Sequence, residues 1–184
     1  RAFQVARGMV PANQVGPQTR AALNALLGGT PGNPPVVIPT GAGLSVMLAS
    51  DNPAAGTLVK SQGLAKLAKF VFVNGDSSEV KVTGLKINRL GISADTDLAN
   101  VYLFQGATRL TDAASVSSGV ISFNDSTGIF TVSAGGSTVI TVASDLSDST
   151  GETVGAGIAS TASVTTSASS VKGNFPINGN FMTV

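Results

Sequence analysis

The residues of this 184-residue chain that could do chemistry are mainly its acids. The chain has ten aspartates and glutamates against eleven lysines and arginines, and it has neither histidine nor cysteine. Without histidine the commonest general base and zinc ligand is missing, and without cysteine there are no disulfides or thiolate ligands. Binding of a hard cation by carboxylate oxygens is therefore the main chemistry left to consider.

Two short acidic loops have the composition of a calcium site. Asp95 and Asp97 flank a threonine, and Asp145 and Asp148 precede Glu152. Calcium prefers several oxygen ligands, but neither run has the length of the twelve-residue helix–loop–helix site. Each loop would need ligands from elsewhere, and the alternative is that both are solvated turns. Acids that could complete such a site are Asp51, Asp76 and Asp125. No cofactor other than calcium is expected.

No arrangement of these residues indicates an enzyme. Two carboxylates about 5–10 Å apart could hydrolyse a glycosidic bond. However, the chain lacks tryptophan for sugar stacking and has no acid in an apolar setting. A serine nucleophile would need a lysine base. The spacing Ser-x-x-Lys occurs at 78–81 and 169–172, but residues three apart share a face only in a helix, and both runs have strand or turn patterns. We predict no catalytic residues.

Strands must position the acidic loops, because short apolar runs separated by Gly, Asn, Asp and Ser clusters extend from residue 44 to 173. About ten such runs at this spacing are typical of an all-β sandwich or barrel. Aromatic residues are only 5% of the chain, so the core is built mainly from Val, Ile, Leu and Ala. The predicted strands cover residues 44–48, 57–60, 65–74, 79–90, 101–104, 108–110, 120–123, 129–132, 138–142, 154–158 and 162–166.

The run 99–112 is predicted to be a hairpin at the middle of a sheet. An apolar stretch over 101–104 is broken by Gln105-Gly106-Ala107 and resumes at 108–110. Glycine in a two-residue connection is a common hairpin signal. Strand-like runs precede and follow this stretch in the sequence, which is why we place it centrally.

The run 79–90 alternates polar and apolar residues with one change of phase at Gly84. Such a change predicts a β-bulge. The alternation places Lys81, Lys86 and Arg89 on the face that meets water.

Residues 1–27 have the pattern of two helical pieces around a loop. Gly8 ends the first piece, and Pro17 fits the first turn of the second. The run resembles the second half of the three-helix peptidoglycan-binding module of bacterial wall hydrolases and surface proteins. The residues that carry this resemblance are Ala2, Phe3, Gln4, Gly8, Val15, Gly16, Pro17, Thr19, Ala22 and Leu23.

This resemblance implies a wall-binding segment. The chain departs from the family in having Asn13-Gln14 where an Asp-Gly pair is usual, and half a module cannot bury its own helix faces. The alternative is a helical stub that packs on the sandwich or on a neighbour. The residues expected to bind peptidoglycan are Phe3, Gln4, Val15, Gly16, Pro17 and Thr19.

Residues 28–43 are predicted to be a linker, because four prolines and five glycines in sixteen residues favour an extended tether. Val36, Val37 and Ile38 are unusually apolar for a linker. They are either an edge strand of the following domain or a strand that pairs with another subunit.

Residues 43–184 resemble the immunoglobulin-like β-sandwich modules of large bacterial surface proteins. The resemblance lies in Asn-Val-Tyr-Leu-Phe-Gln-Gly-Ala-Thr-Arg-Leu at 100–110, in 119–124, and in Thr-Val-Ser-Ala-Gly-Gly-Ser-Thr-Val-Ile-Thr-Val at 131–142. It implies an immunoglobulin-like β-sandwich over 44–184, preceded by a short N-terminal helical segment, in an exported, extracellular protein of the cell surface.

The tail is predicted to form a strand pair around Asn178-Gly179. Its last strand, 180–184, belongs to this sandwich, is exchanged with another copy, or begins a further module. Together with the linker strand, it supplies the residues predicted to join copies of the chain. These assembly residues are Val36, Val37, Ile38, Phe181, Met182 and Val184.

The overall composition favours an extracellular structural protein. Charged residues are 11% of the chain and the net charge is +1, which gives no footprint for nucleic acid or for an acidic membrane. No apolar run approaches the roughly 20 residues needed to cross a bilayer. The expected function is a structural subunit of a bacterial surface layer or extracellular filament, which self-associates through strand edges. The alternative is a peptidoglycan-binding module with a β-sandwich spacer or adhesin head.

Overall fold

A computed structural model describes residues 41–148 and 150–184. These residues belong to one unit, Pro39–Val184. The predicted wall-binding residues, and Val36 to Ile38 of the linker, lie outside the described residues. Among the described residues, no helix is long and apolar enough to cross a membrane.

The described residues are mainly β, with two short 3-10 helices at Asp95–Asp97 and Thr161–Ser163. The strands are β1 (Leu44–Leu48), β2 (Gly56–Thr57), β3 (Ala65–Asn74), β4 (Val80–Leu90), β5 (Leu98–Gln105), β6 (Thr108–Arg109), β7 (Val120–Asn124), β8 (Phe130–Val132), β9 (Ser137–Leu146), β10 (Thr153–Ile158), β11 (Val164–Thr166), β12 (Val171–Lys172), β13 (Ile177–Asn178) and β14 (Met182–Thr183).

The strands form two sheets. The first sheet has the order β12-β1-β3-β9-β5-β6. In the second sheet, β4 pairs with β7 and β8, and also with β10 and β11; β10 continues to β13 and β14, and β14 pairs with β2. Most pairs are antiparallel, but β1 with β12 and β14 with β2 are parallel. The prediction of a mainly β sandwich is confirmed.

The core lies between the two sheets and is built from alternate residues of their strands. The first sheet contributes Phe70 and Phe72 from β3, and the second contributes Ile87 from β4 and Phe130 from β8. The rings of Phe72 and Phe130 meet edge to face, with centroids 4.9 Å apart. This alternation is why a sequence with period two in its apolar residues folds as two facing sheets.

The predicted irregularity in β4 is present. Thr165 pairs with Gly84 and Thr166 pairs with Val82, so the register shifts by one residue there. Because of the shift, Val80 and Val82 before Gly84 and Leu85 and Ile87 after it all face the core. Lys81 and Lys86 are exposed as expected, but the Arg89 side chain is only 16% exposed because it pairs with Asp95.

The hairpin at 99–112 forms, but its predicted central position is wrong. Gln105 pairs with Thr108, and Gly106 has a φ of +60° at the first turn position, where a type II′ turn prefers glycine. The middle of the first sheet is instead occupied by β3 and β9, each ten residues long. The hairpin lies at one side because β6 has only two residues and ends the sheet.

The predicted strand pair in the tail is also wrong. Strands β13 and β14 do not pair with each other; both pair with β10, at Ile158–Gly157 and at Val154–Thr153. The early strand predicted at 57–60 is limited to Gly56–Thr57. Strands β13 and β14 both run antiparallel along β10, because the chain between them passes through Gly179 without reversing direction.

A buried asparagine closes the end of the sandwich where β3, β8 and β9 meet. Asn74 is 1% exposed, and its side-chain amide donates to the carbonyls of Ser78 (2.8 Å), Val132 (2.9 Å) and Ser133 (3.2 Å). Its Oδ1 accepts the backbone N–H of Asp76 at 2.8 Å. One side chain therefore joins the β3–β4 turn to the end of β8.

Candidate functional site

The acid Asp95, a predicted calcium ligand, is engaged by the protein itself. Its carboxylate accepts the Arg89 Nε–H at 3.0 Å and the Gly119 backbone N–H at 3.1 Å on both oxygens. The Gly119 N–H, and then Arg89, hold the pKa of Asp95 below its ordinary value. The Asp95 carboxylate therefore links the 3-10 turn to β4 and to the loop before β7.

Asp97 faces a second carboxyl group instead of a cation. It is 5% exposed, and its carboxylate accepts the Ala94 backbone N–H and the Ser147 Oγ–H, the latter at 3.3 Å. Glu152 hydrogen-bonds to it. Desolvation, then this bond and the negative charge of Asp97, raise the pKa of Glu152. When Glu152 is protonated, its carboxyl group can donate to the Asp97 carboxylate, and when it is ionised the two charges repel.

Asp145 lies on the outward face of the first sheet. It accepts the Leu64 backbone N–H at 3.0 Å, the Tyr102 hydroxyl at 3.0 Å and the Asn100 amide at 3.2 Å. The Leu64 N–H contributes most to lowering the pKa of Asp145, and the same carboxylate raises the pKa of Tyr102. Asp148 pairs with Lys60 at 3.0 Å on the surface.

The structure brings the two predicted acidic loops together, but it does not make them one site. Ser147 donates its backbone N–H to the Asp97 carbonyl at 3.0 Å, so the loops are neighbours. The acids that might have completed a site are used elsewhere: Asp51 pairs with Lys69, Asp76 accepts bonds from Gly43 and Ser169, and Asp125 from Thr127.

Within the described part of the chain, no group of three or more acidic side chains could hold a metal ion. Asp95, Asp97, Asp145 and Asp148 each have protein donors within hydrogen-bonding distance. Calcium binding by these loops stays a prediction with no arrangement of the described residues in its favour.

The predicted assembly residues of the tail lie in this chain's own sandwich. Met182 is 3% exposed and pairs with Val154 and Gly56. Val184 donates its N–H to Glu152 and packs on the core. Phe181 is 53% exposed. Exchange of this strand between copies would require β14 to leave both β10 and β2.

The strand β7 presents an open edge that the sequence did not reveal. The Arg89 N–H donates to the Gly119 carbonyl, and the Asp125 N–H donates to the Thr83 carbonyl. These bonds fix the alternation of the β4–β7 ladder, so the backbone groups of Ser122 and Asn124 point away from β4. No residue within 41–148 or 150–184 hydrogen-bonds to those four groups.

A groove of about 290 Å³ runs beside this edge. One wall is the end of β7 and the turn after it, from Ser122 to Asp125, and the other is the segment 110–114. That segment is held to β5, because Ala114 and Val101 exchange backbone hydrogen bonds and the Leu110 N–H donates to Leu103. The lining is mixed: it includes apolar Leu110 and Ile129 and the acids Asp112 and Asp125.

The other outer strands of the described residues are shorter. β6, β12 and β2 have two residues each, and β8 and β11 have three, whereas β7 has five. Short edge strands offer few groups to a partner. The sequence of 120–123 is recognisable as a strand, but it does not show whether that strand lies at the edge or in the middle of a sheet.

A second groove, of about 520 Å³, lies on the outward face of the first sheet. Phe104, Val139 and Leu64 give it apolar walls, and Lys66 and Lys69 stand at its side. Lys69 is paired with Asp51, whereas Lys66 has no acidic partner among the described residues.

Comparison of the chain with protein-family models, with curated proteins and with solved structures finds no significant match.

Proposed function

We propose that this chain is a structural subunit of a bacterial cell-surface assembly, a surface layer or extracellular filament, whose copies associate through strand edges. The observation that carries the proposal is the open edge of β7, where the outward backbone groups of Ser122 and Asn124 have no partner among the described residues and lie beside a groove. Backbone groups of an extended segment can complete such an edge, and side chains then fill the adjoining groove.

The composition supports the same proposal. Only 11% of residues are charged, and the net charge is +1, so copies would repel one another weakly. The sequence resemblance to surface modules and the extracellular location that it implies belong to this proposal as well.

The test is the association state of the purified protein. Light scattering after size exclusion, followed over a wide range of concentration, is expected to show growth beyond the monomer, and electron microscopy is expected to show sheets or fibres. The same measurements in calcium and in chelator separate edge pairing from metal bridging, because edge pairing survives the chelator. A monomer at all concentrations in both conditions would refute the proposal.

The alternative is a wall-binding module with the sandwich as its spacer or adhesin head, and it depends on Phe3, Gln4, Val15, Gly16, Pro17 and Thr19. Sedimentation of the protein with purified wall sacculi measures it directly. Retention on sacculi that is lost in a chain lacking residues 1–27, from a protein that stays monomeric, would favour this alternative over assembly.

A further inference from the structure

We infer that the segment Val36–Ile38 of one copy adds as a strand to the edge of β7 in another copy, and lies in the groove between β7 and residues 110–114. The inference rests on the proposed function, since it names the two surfaces through which copies associate.

The edge of β7 can accept an added strand because it lacks the features that usually protect an edge strand from pairing. Its sequence, Val-Ile-Ser-Phe-Asn, has no lysine, no proline and no charged residue. Proteins commonly block edge strands with lysine, proline, bulges or short length. Ser122 and Asn124 direct two N–H and two C=O groups outward, which is the set that one added strand pairs with.

The donor has the form that this edge accepts. Val36, Val37 and Ile38 are β-branched, which favours strands, and Pro39 restricts the preceding Ile38 to extended conformations. Three residues in a strand span about 10 Å, which covers the distance from Ser122 to Asn124 of about 7 Å. Alternate side chains of the donor would meet Leu110 and Ile129 in the groove.

The charges of the two parts are complementary. Residues 1–40 contain Arg1, Arg7 and Arg20 and no acid, whereas residues 41–184 carry eight basic and ten acidic residues. Asp112 and Asp125 stand at the groove. The basic part of one copy is therefore attracted to the acidic part of another, which favours encounter between copies.

The donor is a second copy in this inference because the proposed function joins copies through strand edges, and a segment that fills its own chain's groove joins none. Occupation of its own groove is the competing outcome, and cross-linking within a monomer would reveal it.

The first test uses two variants that each remove one half of the contact. Ser122→Pro removes an outward N–H that no residue within 41–148 or 150–184 accepts, and proline is tolerated on edge strands where the N–H faces solvent. Val36→Asp with Ile38→Asp changes only the donor. Each variant alone is expected to be monomeric in light scattering, whereas an equal mixture of the two is expected to form a discrete dimer, because one intact donor and one intact acceptor remain.

The control for Ser122→Pro is Ser122→Thr, which keeps the N–H and is expected to assemble like the unchanged chain. If Ser122→Pro does not fold, the donor variant and a synthetic peptide of residues 33–40 decide the matter. The peptide is expected to bind the donor variant, and to bind a form with the acceptor changed by Asn124→Pro at least tenfold more weakly.

Cysteine cross-linking locates the contact, since the chain contains no cysteine. Asn124→Cys combined with Val36→Cys, Val37→Cys or Ile38→Cys is expected to give disulfide-linked ladders in at least one combination, because facing residues of paired strands bring Cβ atoms within about 5 Å. The matched control, with Thr57→Cys on the edge strand β2, is expected to give none.

The outcomes separate this inference from the proposed function. If the unchanged chain assembles and both variants still assemble, the inference is wrong and the proposed function stands. If cross-links form only within a monomer, the segment occupies its own groove and the inference is wrong. If the unchanged chain never assembles, both fall.

Discussion

Replacing Asn74 tests whether the end of the sandwich depends on one buried amide. In Asn74→Ala, the carbonyls of Ser78 and Val132 lose this donor, and the Asp76 N–H loses its acceptor. The Ser133 carbonyl also loses the amide but keeps the Gly136 N–H. The backbone bond from the Asn74 N–H to Gly136 is unaffected by the change.

The magnitude follows from the number of groups left without partners. An intramolecular hydrogen bond contributes about 1 kcal/mol net, and leaving a buried partner unsatisfied costs about 1–3 kcal/mol. The Val132 carbonyl is the fully buried partner, and the others are partly exposed. We therefore expect a loss of about 2–4 kcal/mol in the free energy of unfolding, which lowers Tm by roughly 10 °C for a domain of this size.

The assay is urea unfolding of Asn74→Ala and Asn74→Asp at a series of pH values. In Asn74→Asp the introduced carboxyl faces carbonyl oxygens, so its folded pKa is raised above its unfolded pKa. Its protonated form can still donate one bond, so this variant is expected to exceed Asn74→Ala in stability at low pH and to lose that advantage as pH rises through the folded pKa. A pH-independent difference between the variants would refute the reasoning, as would a loss below about 1 kcal/mol for Asn74→Ala.

Three further changes have effects that the structure predicts. Phe72→Ala is expected to cost about 3–5 kcal/mol in urea unfolding, because it removes a fully buried ring from the core between the sheets. Glu152→Gln is expected to raise Tm at neutral pH, and this gain should vanish below about pH 4.5, since the raised pKa makes the native carboxyl stabilising only while protonated; equal gains at both pH values would contradict it. Gly91→Ala is expected to lower Tm more than Gly106→Ala, because a Cβ at Gly91 would lie 2.1 Å from the Thr153 carbonyl oxygen, whereas Gly106 faces open space.

The strands were predictable because their signal is local. The alternation along 79–90 gave both the extent of β4 and its irregularity at Gly84, since burial on one face requires a period of two. The order of strands in the sheets was not predictable, because pairing joins residues far apart in sequence. The hairpin of β5 and β6 forms as its turn residues indicate, yet its place at one side of the sheet depends on β9, which comes some thirty residues later.

The acids show the same division between residue type and context. Sequence identified Asp95 and Asp97 as oxygen donors for a cation, but their partners, Arg89 and Gly119 for one and Glu152 for the other, lie on different strands and loops. Arg89 was expected to face water from its position in the alternation. The ion pair with Asp95 keeps its side chain largely covered, which a period-two pattern does not report.

The outer strands of the two sheets differ in length and charge, and this difference singles out β7 as the edge that can accept a partner. Five other outer strands of the described residues, β2, β6, β8, β11 and β12, have only two or three residues each, and β6 and β12 also contain Arg109 and Lys172. β7 is longer and neutral, and it borders a groove whose lining is mixed, with polar residues beside Leu110 and Ile129. An edge of this kind is an aggregation hazard unless an extended segment covers it. The β-branched segment 36–38 lies between two prolines and is a candidate donor strand for this edge. The variants at Ser122, and at Val36 with Ile38, test whether the donor segment of one copy pairs with the β7 edge of another.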